Sequence, residues 1–292
     1  MDFYTTAIAQ GLGFAALAIG IFISMRVLNL PDITTDGSFT LGAAVTSIML
    51  THEYNAYVCI LVSVVCGALA GMLTGFIHTR MRVNALLSGI IVMTALYSIN
   101  LVIMGRPNIP LIGLQTIFDA IKFSDDIFIN RMIIFLVIAV VLMLFVNWLL
   151  TTDFGIAMRA IGNNETMLRA NGVNTQRMKI TGLAIANSFT TLSGCLIAQY
   201  NGFADINMGI GIVISGLGAV MIGEALMSLF NAERIIFRIA GVIIGAVFFR
   251  LILGIALSLG LDPNYLKAVT AAIVLLVVGI AGIKNYKLRI EN

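Results

Sequence analysis

Charge is scarce in this sequence. Its 292 residues hold 17 Lys and Arg and 14 Asp and Glu, 11% in all, where a soluble chain carries about 25%. That deficit excludes an ordinary soluble domain, because too few charged side chains remain to cover a water-facing surface. The net charge of +3 is too small and too dispersed to serve a nucleic-acid partner. Histidine is represented only by His52 and His78, far apart and each without a second ligand at helical spacing, so no metal site is expected. Both flank apolar runs, beside Glu53 and Arg80, which predicts interfacial placement. No Gly-Lys pair occurs, which excludes a phosphate-binding loop, and no Gly-x-Ser-x-Gly elbow occurs either. No catalytic residue is therefore assigned. The three cysteines, Cys59, Cys66 and Cys195, lie inside apolar runs and read as small core residues without a disulfide framework. Met1 to Gln10 holds Asp2 and no basic residue ahead of the first apolar run, so no signal peptide is expected.

What fills the chain is apolar. Hydrophobic residues make up 60% and the mean hydropathy is +1.03, spread along the whole length, which excludes a soluble body on one anchor and makes lipid the solvent. Segments long enough to cross a bilayer run from Ala7 to Ile23, Ala56 to Ile77, Asn84 to Met104, Met132 to Leu150, Ile180 to Tyr200, Ile210 to Leu229, Ile235 to Leu257 and Leu266 to Ile283. A ninth stretch, Phe39 to Leu50, is too short for an untilted crossing. It is a short helix, a re-entrant element or a span completed by its neighbours. The expected architecture is an all-α polytopic membrane protein of eight to ten transmembrane or partly re-entrant helices, organised as one transmembrane domain over 1–292.

Basic residues in short loops favour the cytoplasmic side. Arg80 and Arg82, then Arg159, Arg169, Arg177 and Lys179, then Lys284, Lys287 and Arg289 define that side, and Glu233, Arg234 and Arg238 fall with them. The connection Gly105 to Arg131, the loop at Asp205 and the loop at Asp262 and Pro263 fall outside. The C-terminus is then cytoplasmic, and Arg26 inside would put the N-terminus outside.

Gly67, Gly71 and Gly75 stand four apart, as do Gly241 and Gly245, a spacing that lets helix backbones approach closely. Packing within one subunit is the simpler reading; a dimer face is the other. Two ionisable residues fall inside apolar runs. Arg250 lies about 18 Å beyond Arg238 along a helix, past the midplane, where it lines a pathway, pairs with another subunit or snorkels outward. Glu224 lies near the cytoplasmic end of its run. One carboxylate at most is thin provision for an ion-coupled transporter.

The densest polar island is 151–179, TTDFGIAMRAIGNNETMLRANGVNTQRMK. Asn163 or Asn164 caps a helix of about eight residues, Glu165 falls in its first turn and Gly172 follows as a left-handed stop. Met167, Leu168 and Ala170 form a small apolar patch with Arg169 among them. Such a helix enters a groove on a partner or lies on the membrane surface; its residues do not decide between the two. NLPDITTDGSFTLGAAV (29–45) and DINMGIGIVISGLGAVMIGEAL (205–226) read as glycine-broken membrane segments that place a pathway between Asp36 to Gly42 and Ser215 to Gly223. Candidate pathway groups are Asp36, Ser38, Asn84, Ser88, Thr94, Ser98, Asn187, Thr191, Gln199 and Ser215, although such side chains more often bond their own or a neighbouring helix.

Four of these stretches, in order, resemble the permeases of bacterial ABC importers for branched-chain amino acids and ribose: LNLPDITTDGSFTLGA, VNALLSGIIVMTALYSINLVIMG, GIAMRAIGNNETMLRANGVNT and SGLGAVMIGEAL. The third is similar to the family's cytoplasmic coupling loop, and further detail resembles a subgroup linked to aromatic amino acids. The resemblance implies a paired permease in the bacterial plasma membrane, surrounded by lipid. Two ATPase subunits would carry ATP and magnesium on its cytoplasmic face, so that this chain is no enzyme and holds no cofactor, and an extracytoplasmic binding protein would deliver a small polar nutrient. It implies Asn163 to Gly172 as the coupling helix. TDGSF stands where many relatives carry another polar group, so the resemblance leaves the substrate open between amino acids, sugars and nucleosides. An ion-coupled secondary transporter is the alternative from another class, and a structural scaffold a third.

Overall fold

The computed structural model describes residues 2–230, 234–262 and 265–290. Glu233 and Pro263 lie outside the described residues, as do the side chains of Lys284, Lys287 and Arg289. The chain opens with α1 (Asp2–Gly13) and α2 (Ala15–Ile21), which continue into a π-helical turn at Phe22–Val27. Asn29 then takes a left-handed conformation (φ 54°), which Asn tolerates better than most residues. The following segment, with Pro31 in it, is irregular and leads to α3 (Thr34–Thr51). The short apolar stretch is thus the later part of an 18-residue helix. Its polar first turn, TTDGS, is buried except for the partly buried Asp36, and Thr34, Asp36 and Ser38 find tertiary partners, which hydropathy alone does not register.

Next come α4 (Ala56–Arg80), α5 (Ala85–Met104), β1 (Asn108–Pro110), α6 (Ile117–Ala120) and α7 (Ile127–Thr151). After them stand α8 (Asp153–Asn163), α9 (Glu165–Ala170), α10 (Thr175–Asn201), β2 (Phe203–Asp205), α11 (Ile212–Leu229), α12 (Ile235–Ser258) and α13 (Leu266–Ile290). All eight apolar segments read from the sequence fall on helices. Among the described residues, six helices are long and apolar enough to cross a membrane: Tyr4–Val27, Ala56–Arg80, Ala85–Met104, Ile127–Thr151, Thr175–Asn201 and Ile235–Ser258. Ile212–Ser228 and Leu266–Val277 are shorter apolar helices.

Helix α10 is the axis of the fold, largely buried and flanked by α2, α3 and α4. The α4 glycines explain the closeness: a Cβ on Gly71 would run into the Leu183 carbonyl of α10, and Gly67 and Gly75 meet Asn187 and Ile180 in the same way. Gly241 and Gly245 of α12 sit likewise against Gly223 of α11. Both glycine sets therefore pack helices within this chain. Small residues are what allow it, since lipid supplies no hydrophobic force to push helices together.

The bundle has two unlike ends. At one, β1 pairs antiparallel with β2, Asn108 opposite Asp205, and Gln199 accepts a hydrogen bond from the Ile117 amide at 2.9 Å. At the other lie Arg26, Arg80, Arg238 and the α8–α9 pair. The outer faces of α4, α5 and α7 expose large apolar side chains such as Leu61, Leu69, Ile90, Val141 and Trp148, as a lipid-facing or partner-facing surface does.

Candidate functional site

The polar island folds as two helices where the sequence reading expected one of about eight residues. Thr152 caps α8, its hydroxyl accepting from the Gly155 amide at 3.3 Å, and an eleven-residue amphipathic helix follows with Gly155, Met158 and Ile161 buried. That helix went unread because its apolar positions sit among polar ones in a segment that looked like loop. Of the two asparagines offered as cap, Asn164 serves: its Oδ1 accepts from the Met167 amide at 3.0 Å, while Asn163 ends α8. The helix α9 has six residues, and Gly172 follows in the left-handed conformation, φ 81°, where a Cβ is disfavoured.

One ion pair ties α9 to the start of α10, and a second runs along α9 itself. Glu165 receives Arg169 at 2.8 Å and Lys179 at 2.6 Å. Partial burial pushes the Glu165 carboxyl up, but the hydrogen bond and charge of Lys179 more than offset it, helped by Thr175 and Arg169, and the group sits below its usual range. Of the residues expected in the coupling helix, Met167 is 60% exposed and Arg169 and Ala170 are exposed. Leu168 is buried, at 7%, so the outward apolar patch of the free chain reduces to Met167 and Ala170.

In the interior, the two glycine-broken segments meet. Asp36 accepts from the Gly211 amide at 2.8 Å and the Val213 amide at 2.9 Å, so its carboxylate satisfies the free donors where α11 begins. Beside it runs a closed seam. Ser38 donates to Asn187 Oδ1 at 2.6 Å, and Asn187 Nδ2 donates to Asp32 at 2.8 Å and to the Leu183 carbonyl at 3.0 Å. Asp32 also accepts from the Thr34 amide, and the Thr34 and Thr74 hydroxyls lie 2.8 Å apart. Asp32 gives no local signal of this role, because its partner Asn187 lies 155 residues further along the chain. Asn100 of α5 donates to the Gly37 carbonyl while its own Oδ1 is buried without a partner.

The remaining candidates do not converge on this seam. Thr191 and Ser88 bond backbone carbonyls of their own helices, Asn84 caps α5 through the Leu86 amide, and Gln199 is held by α6. Thr94 and Ser98 lie on the exposed face of α5, Thr94 bonded to the Ile90 carbonyl. Ser215 borders a small cavity with Arg250, Phe14 and Gly216. There the Arg250 guanidinium lies 3.5 Å from the centroid of the Phe14 ring, a cation–π contact in place of an outward reach. Glu224 is placed between Arg26 at 2.8 Å and Arg238 at 3.0 Å, three helices tied by one carboxylate. The arginine-rich end was readable as basic; its pairing across about 200 residues of chain was not.

A bundle of apolar helices around a buried axis, with a polar helix pair packed at its basic end, is the fold of a polytopic membrane protein. Residues 3–281 match the family described as branched-chain amino acid transport system / permease component, and the chain belongs to that family. It is 34% identical, over 92% of its length and 88% of the other's, to the tyrosine transport system permease protein of Clostridioides difficile. It is 24% identical to the ribose import permease of Haemophilus influenzae, over 94% of this chain and 80% of that one. Among solved structures, a metal-chelate type ABC transporter in an inward-facing conformation superposes with a TM-score of 0.52 at 16% identity, covering 97% of this chain and 86% of that one. That likeness speaks for the fold alone.

Proposed function

We propose that this chain is the membrane-spanning subunit of an ATP-driven importer that passes a small polar nutrient, foremost an amino acid, into a bacterial cell. The chain works as one transmembrane domain, paired with a second copy, in the plasma membrane. Two ATPase subunits, holding ATP and magnesium, dock on the basic end, and an extracytoplasmic binding protein delivers substrate to the ribbon end. The observation that carries this reading is the α8–α9 pair. It presents Met167 outward while the Glu165–Lys179 ion pair ties it to α10, so a push on Met167 is transmitted to the axis of the bundle as a lever. The basic end faces the cytoplasm, which puts the C-terminus there as well.

The relative named for tyrosine transport supports an amino acid as cargo, and the ribose relative supports a sugar as the second reading. Family membership weighs against an ion-coupled carrier, as does the interior: Asp32 and Asp36 are both tied into hydrogen bonds that hold helices together. The test is reconstitution of the chain with its ATPase and binding protein in vesicles. Uptake of labelled tyrosine that requires ATP is the expected outcome, and uptake of ribose instead would select the second reading. Uptake by the chain alone under an ion gradient would overturn both.

A further inference from the structure

Three arginines from three separate elements line one cavity at the basic end. Arg26 comes from the π-helical turn, Arg159 from α8 and Arg238 from α12, around a space of about 170 Å³ that Asn163, Phe22 and Leu150 also border. The π-helical turn widens the first span where it presents Arg26, a distortion that often accompanies functional sites. Glu224 answers two of these cations, Arg26 and Arg238. Arg159 takes part in none of the ion pairs among the described residues, and its Nε is buried without a hydrogen-bond partner. A buried guanidinium donor left unpaired is costly, and the cost is removed by an anion entering the cavity.

The anion it fits has several acceptor oxygens, because the three arginines line the cavity from different helices and guanidinium forks match phosphate geometry. The walls are half apolar, with Phe22 under the Arg238 guanidinium at 5.5 Å. A cavity at the ends of the spans, basic within and apolar at its sides, is the arrangement that holds an anionic lipid headgroup. We propose that Arg26, Arg159 and Arg238 form a phosphate site, filled by an anionic phospholipid of the surrounding leaflet. The bound phosphate ties α8, and through it the polar helix pair, to the first span and to α12.

The test is native mass spectrometry of the purified chain with phosphatidylglycerol, with phosphatidylcholine and with inorganic phosphate. Phosphatidylglycerol is expected to be retained over phosphatidylcholine, and Arg159→Gln to weaken its retention about tenfold. Arg159→Lys should fall between, keeping the charge and losing the fork. Arg80→Gln, at the same end but outside the cavity, should bind as the unaltered chain does, which separates a site from general surface attraction. If millimolar inorganic phosphate displaces the lipid, the site is a phosphate site open to solution; if it does not, the lipid is the occupant. Equal retention of the two lipids, or no change in either Arg159 variant, overturns the proposal. So does an Arg159→Gln chain that keeps lipid selectivity but no longer captures the ATPase, since the partner of Arg159 is then an acidic group of that subunit. These readouts use the solubilised chain alone or with its ATPase and do not depend on which nutrient is carried.

Discussion

The α3–α4–α10 seam and the basic end treat polar groups in opposite ways. In the seam, Asp32, Ser38, Thr34, Thr74 and Asn187 bond one another at 2.6 to 2.9 Å and are buried. At the basic end, Glu165 and Glu224 hold their cations on partly exposed side chains, with Arg169 65% and Arg238 44% open. The difference follows from solvent. Where water is absent, an unpaired polar group costs several kcal/mol, roughly, so polar side chains there fix helices in one arrangement. Where water can enter, each pair is worth about 1 kcal/mol or less, and the pairs can be exchanged as a partner moves. Rigidity sits in the seam and adjustability at the basic end, where the proposed function has the ATPase dock.

The largest effect is expected in the seam. Gly71→Val places a branched side chain against the Leu183 carbonyl and should destabilise the chain by about 3 kcal/mol or more, read as loss of folded protein in a thermal unfolding assay in detergent. Asn187→Leu keeps the volume but strips Asp32 and Ser38 of their shared partner; about 2 to 3 kcal/mol is expected to be lost. If either variant unfolds like the unaltered chain, the seam is not the rigid element and the contrast fails.

The basic end should respond more gently. Because the folded carboxyl of Glu165 lies below its usual value of 4.5, its stabilising contribution is present in full above that value and disappears as pH falls through the lowered one. Backbone protection over residues 165–171, measured as the slowing of hydrogen exchange relative to the intrinsic rate at each pH, should therefore be steady from pH 7 to about pH 5 and fall in more acid solution. Glu165→Gln should abolish that dependence, with a stability change of under about 1 kcal/mol. A pH response that persists in Glu165→Gln would show that another group holds α9.

The contrast also explains what could be read in advance. Apolar runs located all the major helices, since a helix facing lipid must be hydrophobic along its length. The glycine spacing of α4 was legible for the same reason: it is a local pattern with a local consequence. The start of α3 was not, because TTDGS is polar and becomes membrane-compatible only through Asn187 and Gly211, some 150 to 175 residues away. The cap at Asn164 and the stop at Gly172 were readable from side-chain chemistry, whereas the burial of Leu168 depends on how α9 sits on its neighbours. Asp36 and Ser38 were found as polar residues in a broken segment and turn out to bind the fold's own groups.

The central claim is that the α8–α9 pair couples this permease to a separate ATPase, and Met167→Glu tests it most directly. Met167 is exposed and outside the seam, so the variant should fold and unfold as the unaltered chain does. It should lose most of its ATP-driven uptake in vesicles containing the ATPase and binding protein, at least about tenfold, through a charge placed in an apolar contact. Full ATP-driven uptake by a folded Met167→Glu chain would contradict the account.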